Sequence, residues 1–159
     1  MDTTSIPNTT NPSDSVKSPN GLMIASSILM IPGLVITGML IAFEIIFYSE
    51  NPVFFEEEVV VDCFIAAILI LLEIYYILSV LLTKLRKLPY KPQKMKNLAM
   101  LMLIINCLLF VCCYVSRRFF QGWTQPGYFT IADILIITSA PDILIKILAL
   151  LGASAVLRK

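Results

Sequence analysis

Three charged residues lie inside apolar stretches of the sequence, where an ionised side chain is unusual. Glu73 follows ten apolar residues, and Asp142 and Lys146 stand four residues apart in the last apolar stretch. Because four residues are about one helical turn, Asp142 and Lys146 are spaced for an ion pair along one helix. Two carboxylates and an ammonium group inside a membrane can lock helices together, bind an ion or a substrate, or serve as acid and base.

Other features of the sequence limit the chemical roles that these three residues can have. It contains no histidine, which is the commonest metal ligand and the usual proton shuttle near neutral pH. It also lacks a Gly-rich phosphate loop, the His-Glu-x-x-His and Gly-x-Ser-x-Gly motifs, and a nucleophile paired with histidine. The four cysteines show no Cys-x-x-Cys spacing, so neither a metal site nor another cofactor is predicted. The sequence therefore predicts a protein that is not an enzyme.

The elements that position these residues are apolar enough to lie in a bilayer. Hydrophobic residues make up 58% of the chain and charged residues only 14%, and the mean hydropathy is +0.85. The core of a soluble 159-residue domain does not absorb so much apolar surface, whereas a bilayer does. The sequence predicts an all-α integral membrane protein, a bundle of four transmembrane helices at residues 22–48, 59–83, 97–116 and 130–157.

Basic residues give this bundle an orientation. Residues 84–96 hold six of the twelve basic residues and no acidic one, which is typical of a cytoplasmic loop. Residues 1–21, rich in Ser, Thr, Asn and Pro, then form a disordered cytoplasmic tail, and the C-terminus is cytoplasmic as well. Nine basic residues are inside and two, Arg117 and Arg118, are outside. The predicted location is the plasma membrane or an endomembrane, and the net charge of +1 predicts no nucleic-acid partner.

With this orientation, the position of a residue in the sequence gives its depth in the bilayer. At about 1.5 Å per residue, Glu73, Asp142 and Lys146 lie roughly 18–24 Å from the outer boundary, near the bilayer midplane. An unpaired charge at this level costs at least a few kcal/mol, so we expect the three side chains to meet. By the same measure Glu44 and Asp62 are carboxylates of the outer leaflet, within roughly 6 Å of the boundary.

Local patterns predict how particular helices begin and break. Thr130 with Asp133 forms a capping-box pattern at the start of the fourth span, and residues 139–142 repeat that pattern around Pro141. The sequence therefore predicts a break in the fourth helix near Pro141. At the start of the third span, Asn97 is the predicted capping residue.

Polar and thiol side chains of the second and third spans give two further expectations. Asn106 is expected to hydrogen-bond to another helix, an interaction worth about 1 kcal/mol or less. Cys63 and either Cys112 or Cys113 lie at similar depth near the outer face, so a disulfide between Cys63 and Cys113 is one interpretation. Four reduced, buried thiols are the other.

Two functions of different classes fit these patterns. The first is a non-enzymatic membrane organiser or accessory subunit, whose lateral faces contact the lipid bilayer and other membrane proteins or copies of itself. The second is an oligomeric channel or carrier with Glu73, Asp142 and Lys146 near the pathway of an ion or substrate. Four helices enclose little water, so a pore needs several copies. Loss of activity in Glu73→Gln with intact assembly favours the carrier, whereas loss of assembly favours the organiser.

Overall fold

Four α-helices account for nearly all of the chain that the structure describes. The computed structural model describes residues 18–50, 57–86, 91–119 and 131–158. Its helices are α1 (Gly21–Glu50), α2 (Glu57–Arg86), α3 (Pro92–Phe119) and α4 (Ile131–Arg158), and no strand occurs in these ranges. All four are long and apolar enough to cross a membrane. The prediction of an all-helical protein with four such helices is confirmed.

The helices extend beyond the predicted spans, most clearly around the basic loop. Residues 84–86 continue α2, and α3 begins at Pro92, before the predicted cap at Asn97. Proline suits the first position of a helix, because its missing N–H has no intrahelical partner there. Asn97 lies within α3, where its Oδ1 accepts a hydrogen bond from Gln93 Nε2 at 3.0 Å. The prediction that Asn97 caps this helix is therefore wrong.

Two other local predictions fall on residues outside the described ranges. The predicted tail, residues 1–21, is described only from Ser18 onward, and Gly21 already belongs to α1. Thr130, the predicted cap of the fourth span, precedes the first described residue of α4. Both remain predictions.

Each helix packs against two neighbours. Helix α1 contacts α2 and α4, and α3 contacts the same two helices, most extensively α4. The opposite pairs, α1 with α3 and α2 with α4, have no close backbone approach within the described residues. The four helices therefore surround a common centre that only long side chains bridge.

The exterior of the helices is as apolar as their interior. Large apolar side chains that are at least half exposed occur on every helix, for example Met39, Leu71, Leu108 and Leu144. The interior has an apolar core and also contains the buried polar side chains of Ser26, Ser27, Glu73, Asn106, Ser139 and Lys146. An apolar exterior of this extent is unfavourable in water and favourable in lipid, where polar groups must find their partners inside the protein.

The beginning of α1 is held against the end of α4. Asn20 caps α1, because its Oδ1 accepts a hydrogen bond from the Met23 N–H at 3.0 Å. The Asn20 Nδ2 donates to the carbonyl of Gly152 at 2.9 Å. Glycine permits this approach, since a Cβ at residue 152 would lie 2.8 Å from Met23 Cγ and 3.1 Å from its backbone nitrogen. The first and last helical turns of the chain thus lie side by side.

Helix α4 runs through Pro141 without interruption. Proline has no N–H for the carbonyl of residue 137, so one helical hydrogen bond is missing at this point. The Ser139 hydroxyl donates to the carbonyl of Leu135, one turn earlier on the same helix, and does not cap a second helix. The repeated capping pattern therefore does not divide α4 into two helices, and a kink at Pro141 stays a prediction.

Candidate functional site

The central feature of the structure is the side chain of Lys146, which is completely buried. It forms an ion pair with Asp142, one turn earlier on α4. It forms a second ion pair with Glu73 on α2, where Lys146 Nζ lies 2.5 Å from Glu73 Oε1. The structure thus brings together the three charged residues that the sequence placed at a common depth. We call them, with Asn106, the central cluster.

The ion pair between Glu73 and Lys146 crosses the middle of the helix arrangement. It joins α2 to α4, the opposite helices whose backbones make no close approach. A lysine suits this task because its long flexible stem carries the charge away from its own helix. The Lys146 side chain has no exposed surface and that of Glu73 is 3% exposed, so neither charge is screened by solvent.

Asn106 adds α3 to the central cluster. Its side-chain amide faces the charges and has two orientations. In one, Nδ2 donates to Asp142 Oδ2 at 3.4 Å. In the other, Oδ1 accepts from Lys146 Nζ and from the Ile143 N–H, both at 3.2 Å. The second orientation is favoured, because it gives two donors an acceptor and replaces one long hydrogen bond.

With this orientation the Lys146 ammonium group contacts one oxygen atom on each of three side chains, Glu73, Asp142 and Asn106. Asp142 and Asn106 accept hydrogen bonds from it. Glu73 Oε1 contacts it as an ion-pair partner, without the alignment of a hydrogen bond. Buried ions are stable when they are paired in this way. The arrangement therefore fastens α2, α3 and α4 to one atom.

Helix α1 approaches the central cluster at Gly33. A Cβ at this position would lie 3.4 Å from Asp142 Oδ1, an ordinary van der Waals distance. The Asp142 Oδ1 is itself buried and has no hydrogen-bond partner in the described part of the chain. All four helices therefore meet at this level. Helix α1 contributes Gly33 there and no polar side chain.

The cysteines do not form the predicted disulfide. Cys63 and Cys113 carry thiol groups, as do Cys107 and Cys112. Cys113 is buried in the contact between helices, whereas Cys107 is exposed on the apolar exterior of α3. The alternative of four reduced thiols agrees with the structure, although not all of them are buried.

The structure does not describe the side chains of the two carboxylates predicted for the outer leaflet. Their backbones belong to helices, Glu44 to α1 and Asp62 to α2. Among the described residues, no three His, Cys, Asp or Glu side chains are grouped so as to hold a metal ion.

Sequence reasoning missed two contributions to the central cluster. Asn106 was expected to bond to another helix, but not to Lys146, and the approach of Gly33 to Asp142 was not predicted. The distance along each helix would have indicated these contacts. Counted from the start of α1 and α3 and from the end of α2 and α4, Gly33, Asn106 and the charged residues all lie at roughly 18–24 Å.

Comparison of this chain with protein-family models, with curated proteins and with solved structures gives no match.

Proposed function

We propose that this protein crosses a membrane four times and acts, without enzymatic activity, as an organiser or accessory subunit of a membrane protein complex. One observation carries the proposal: all four helices expose large apolar side chains outward, while the buried Lys146 contacts Glu73, Asp142 and Asn106 on three helices. Contacts that join three helices in this way stabilise helix packing. The broad apolar exterior is left for contacts with lipid and with other membrane proteins.

The orientation belongs to the same proposal. Both termini and the basic loop face the cytoplasm, because basic residues near membrane spans are retained on that side. The Asn20–Gly152 hydrogen bond supports the part of this proposal that puts both termini on one side, since it joins the start of α1 to the end of α4. A kink of α4 at Pro141 completes this arrangement.

Site-specific photo-crosslinking in native membranes tests the accessory role. A photoreactive side chain replaces Met39, Leu71, Leu108 or Leu144, one exposed residue on each helix. A lateral partner predicts discrete protein adducts at one helix or at two neighbouring helices, and lipid adducts elsewhere. The buried Met102 is the matched control and should give products within the chain. Lipid adducts alone at all four exposed positions would contradict the proposal.

An oligomeric channel or carrier is the second candidate, and the Oδ1 atom of Asp142 favours it. This atom is buried near the middle of the helices beside Gly33, and it has no hydrogen-bond partner among the described residues. Such an acceptor suits a transported cation. Reconstitution into liposomes distinguishes the two functions. A carrier shows cation flux that Glu73→Gln abolishes with assembly intact, whereas an accessory subunit shows no flux in either form.

A further inference from the structure

The charges of the central cluster do not balance. Two carboxylates, Glu73 and Asp142, contact one ammonium group, so the fully ionised cluster has a net charge of −1. Because both carboxylates touch the same nitrogen atom, their oxygens lie within roughly 5 Å of each other. Like charges this close repel each other strongly in an apolar surrounding.

No other described helix supplies the missing positive charge. Helix α1 presents Gly33 to Asp142, and α3 presents the neutral amide of Asn106. Helix α2 contributes Glu73 and, one turn further along the same face, Tyr76. The remaining charged partner is Lys146 on α4 itself, and it is already shared by the two carboxylates.

Two buried polar atoms indicate that something is bound in this region. Asp142 Oδ1 has no hydrogen-bond partner among the described residues, although the other oxygen of the same carboxylate is paired. Glu73 Oε1 likewise accepts no hydrogen bond among the described residues, although it contacts Lys146 Nζ as an ion pair. Buried polar atoms normally have hydrogen-bond partners, and two without one beside an excess charge require an explanation.

We propose that the central cluster binds one exchangeable proton, shared by Glu73 and Asp142. The proton comes from water and adds to a carboxylate oxygen, which forms a carboxylic acid and leaves the cluster neutral. No bond other than this O–H forms, and no electron is transferred. The proton belongs to the pair of carboxylates rather than to one of them, because the two sites are strongly coupled.

The chemistry of the donors favours a proton over a metal cation. Sodium, magnesium and calcium require several oxygen ligands, whereas Lys146 already occupies one oxygen each of Glu73, Asp142 and Asn106. Asp142 Oδ1 has neither an ion-pair contact nor a hydrogen bond among the described residues, and a proton needs no more than one such oxygen. This inference goes beyond the proposed function and holds for an accessory subunit as well as for a carrier.

Infrared spectroscopy of the purified full-length protein tests the proposal by counting protonated carboxyl groups. The wild type should show one carboxylic-acid C=O band from the central cluster near neutral pH, shifted in D₂O because the proton exchanges. Glu73→Gln or Asp142→Asn should each remove this band, since one carboxylate then balances one ammonium group. Lys146→Met should double it, since two carboxylates then remain without a cation.

Matched variants outside the central cluster provide the controls. Glu44→Gln and Asp62→Asn replace other acidic residues of the apolar helices and should leave the cluster band in place. If Lys146→Met does not fold, wild-type protein with ¹³C-labelled aspartate or glutamate decides, because the band must shift with at least one label. A wild-type band unaffected by both Glu73→Gln and Asp142→Asn, or displaced by added Na⁺ or K⁺, would overturn the proposal.

Discussion

At the scale of single residues, the structure depends on the partners of Lys146. Its ammonium group contacts oxygen atoms on α2, on α3 and on its own helix, and its side chain has no contact with solvent. The free energy gained by forming such a cluster is smaller than the free energy lost by removing one of its members. Forming a buried ion pair gains little net free energy, because desolvation offsets the attraction, but removing one partner leaves an uncompensated charge.

Replacing either partner of the crossing ion pair should therefore destabilise the protein, and by different amounts. Lys146→Leu leaves two buried carboxylates and should lower the free energy of unfolding by about 3–5 kcal/mol. Glu73→Leu leaves Lys146 paired with Asp142 but without its ion-pair partner on α2, which costs about 1–3 kcal/mol. The double variant should lose less than the sum of the two. Unfolding in mixed micelles measures all three values.

Two variants make this comparison interpretable. Leu144→Ala removes an exposed apolar side chain close to Lys146 on the same helix and should have a small effect. Glu73→Gln keeps an oxygen for the ammonium group and should be milder than Glu73→Leu. Strictly additive losses in the double-mutant cycle would show that Glu73 and Lys146 are not energetically coupled.

The charged members of the central cluster could be predicted from sequence, but its neutral members could not. Glu73, Asp142 and Lys146 are exceptional inside apolar helices, and a common depth with opposite charges predicts that they meet. The partners of Asn106 and Gly33 depend on how α3 and α1 are rotated about their axes. Their outward faces are as apolar as much of the core, so periodicity gives little information on this rotation.

At the scale of helices, the junction of α1 and α4 depends on a single glycine. Gly152 lets the first turn of α1 approach so closely that Asn20 bonds to its carbonyl. A methyl group would meet the Met23 side chain at 2.8 Å and the Met23 backbone at 3.1 Å. The side chain is able to move, but the backbone nitrogen moves only together with the helix.

Gly152→Ala should consequently separate the two helix ends and lower the free energy of unfolding by about 1–3 kcal/mol, as overpacking does elsewhere. Gly38→Ala is the control, because a Cβ at residue 38 has nothing within 4 Å. That change should be neutral or slightly stabilising, since alanine is the better helix former. Equal stability of the two variants in mixed micelles would exclude a tight α1–α4 contact.

Helix ends were harder to predict than helix existence. A hydropathy window ends where charges begin, but charged residues continue a helix readily, as residues 84–86 do in α2. The first residue of α3 is set by Pro92, whose geometry suits a helix start, and not by the capping preference of Asn97. Near Pro141 the Ser139 hydroxyl bonds within its own helix and does not cap a second one, and the break predicted there stays a prediction.

At the scale of the whole molecule, the proposed four crossings put both ends of the chain on one side of a membrane, and we predict that this side is the cytoplasm. In single-cysteine variants, an impermeant thiol reagent added outside the cell should label residue 51 and not residue 93. After permeabilisation both positions should react. Labelling of residue 93 alone in intact cells would reverse the orientation, and labelling of both would remove the four-span topology.

The ion pair that crosses between α2 and α4 also has a consequence for synthesis. Glu73 and Lys146 are separated by 73 residues. At a synthesis rate of about 5–20 residues per second, Lys146 is therefore made roughly 4–15 s after Glu73. During that interval α2 is an incomplete segment with an unmatched acid, which the cell's quality control is able to recognise. A chain ending at Phe119 should be degraded quickly in a pulse-chase experiment, and Glu73→Leu should prolong the life of that fragment. If the substitution leaves its half-life unchanged, the delay has no cost for the nascent protein.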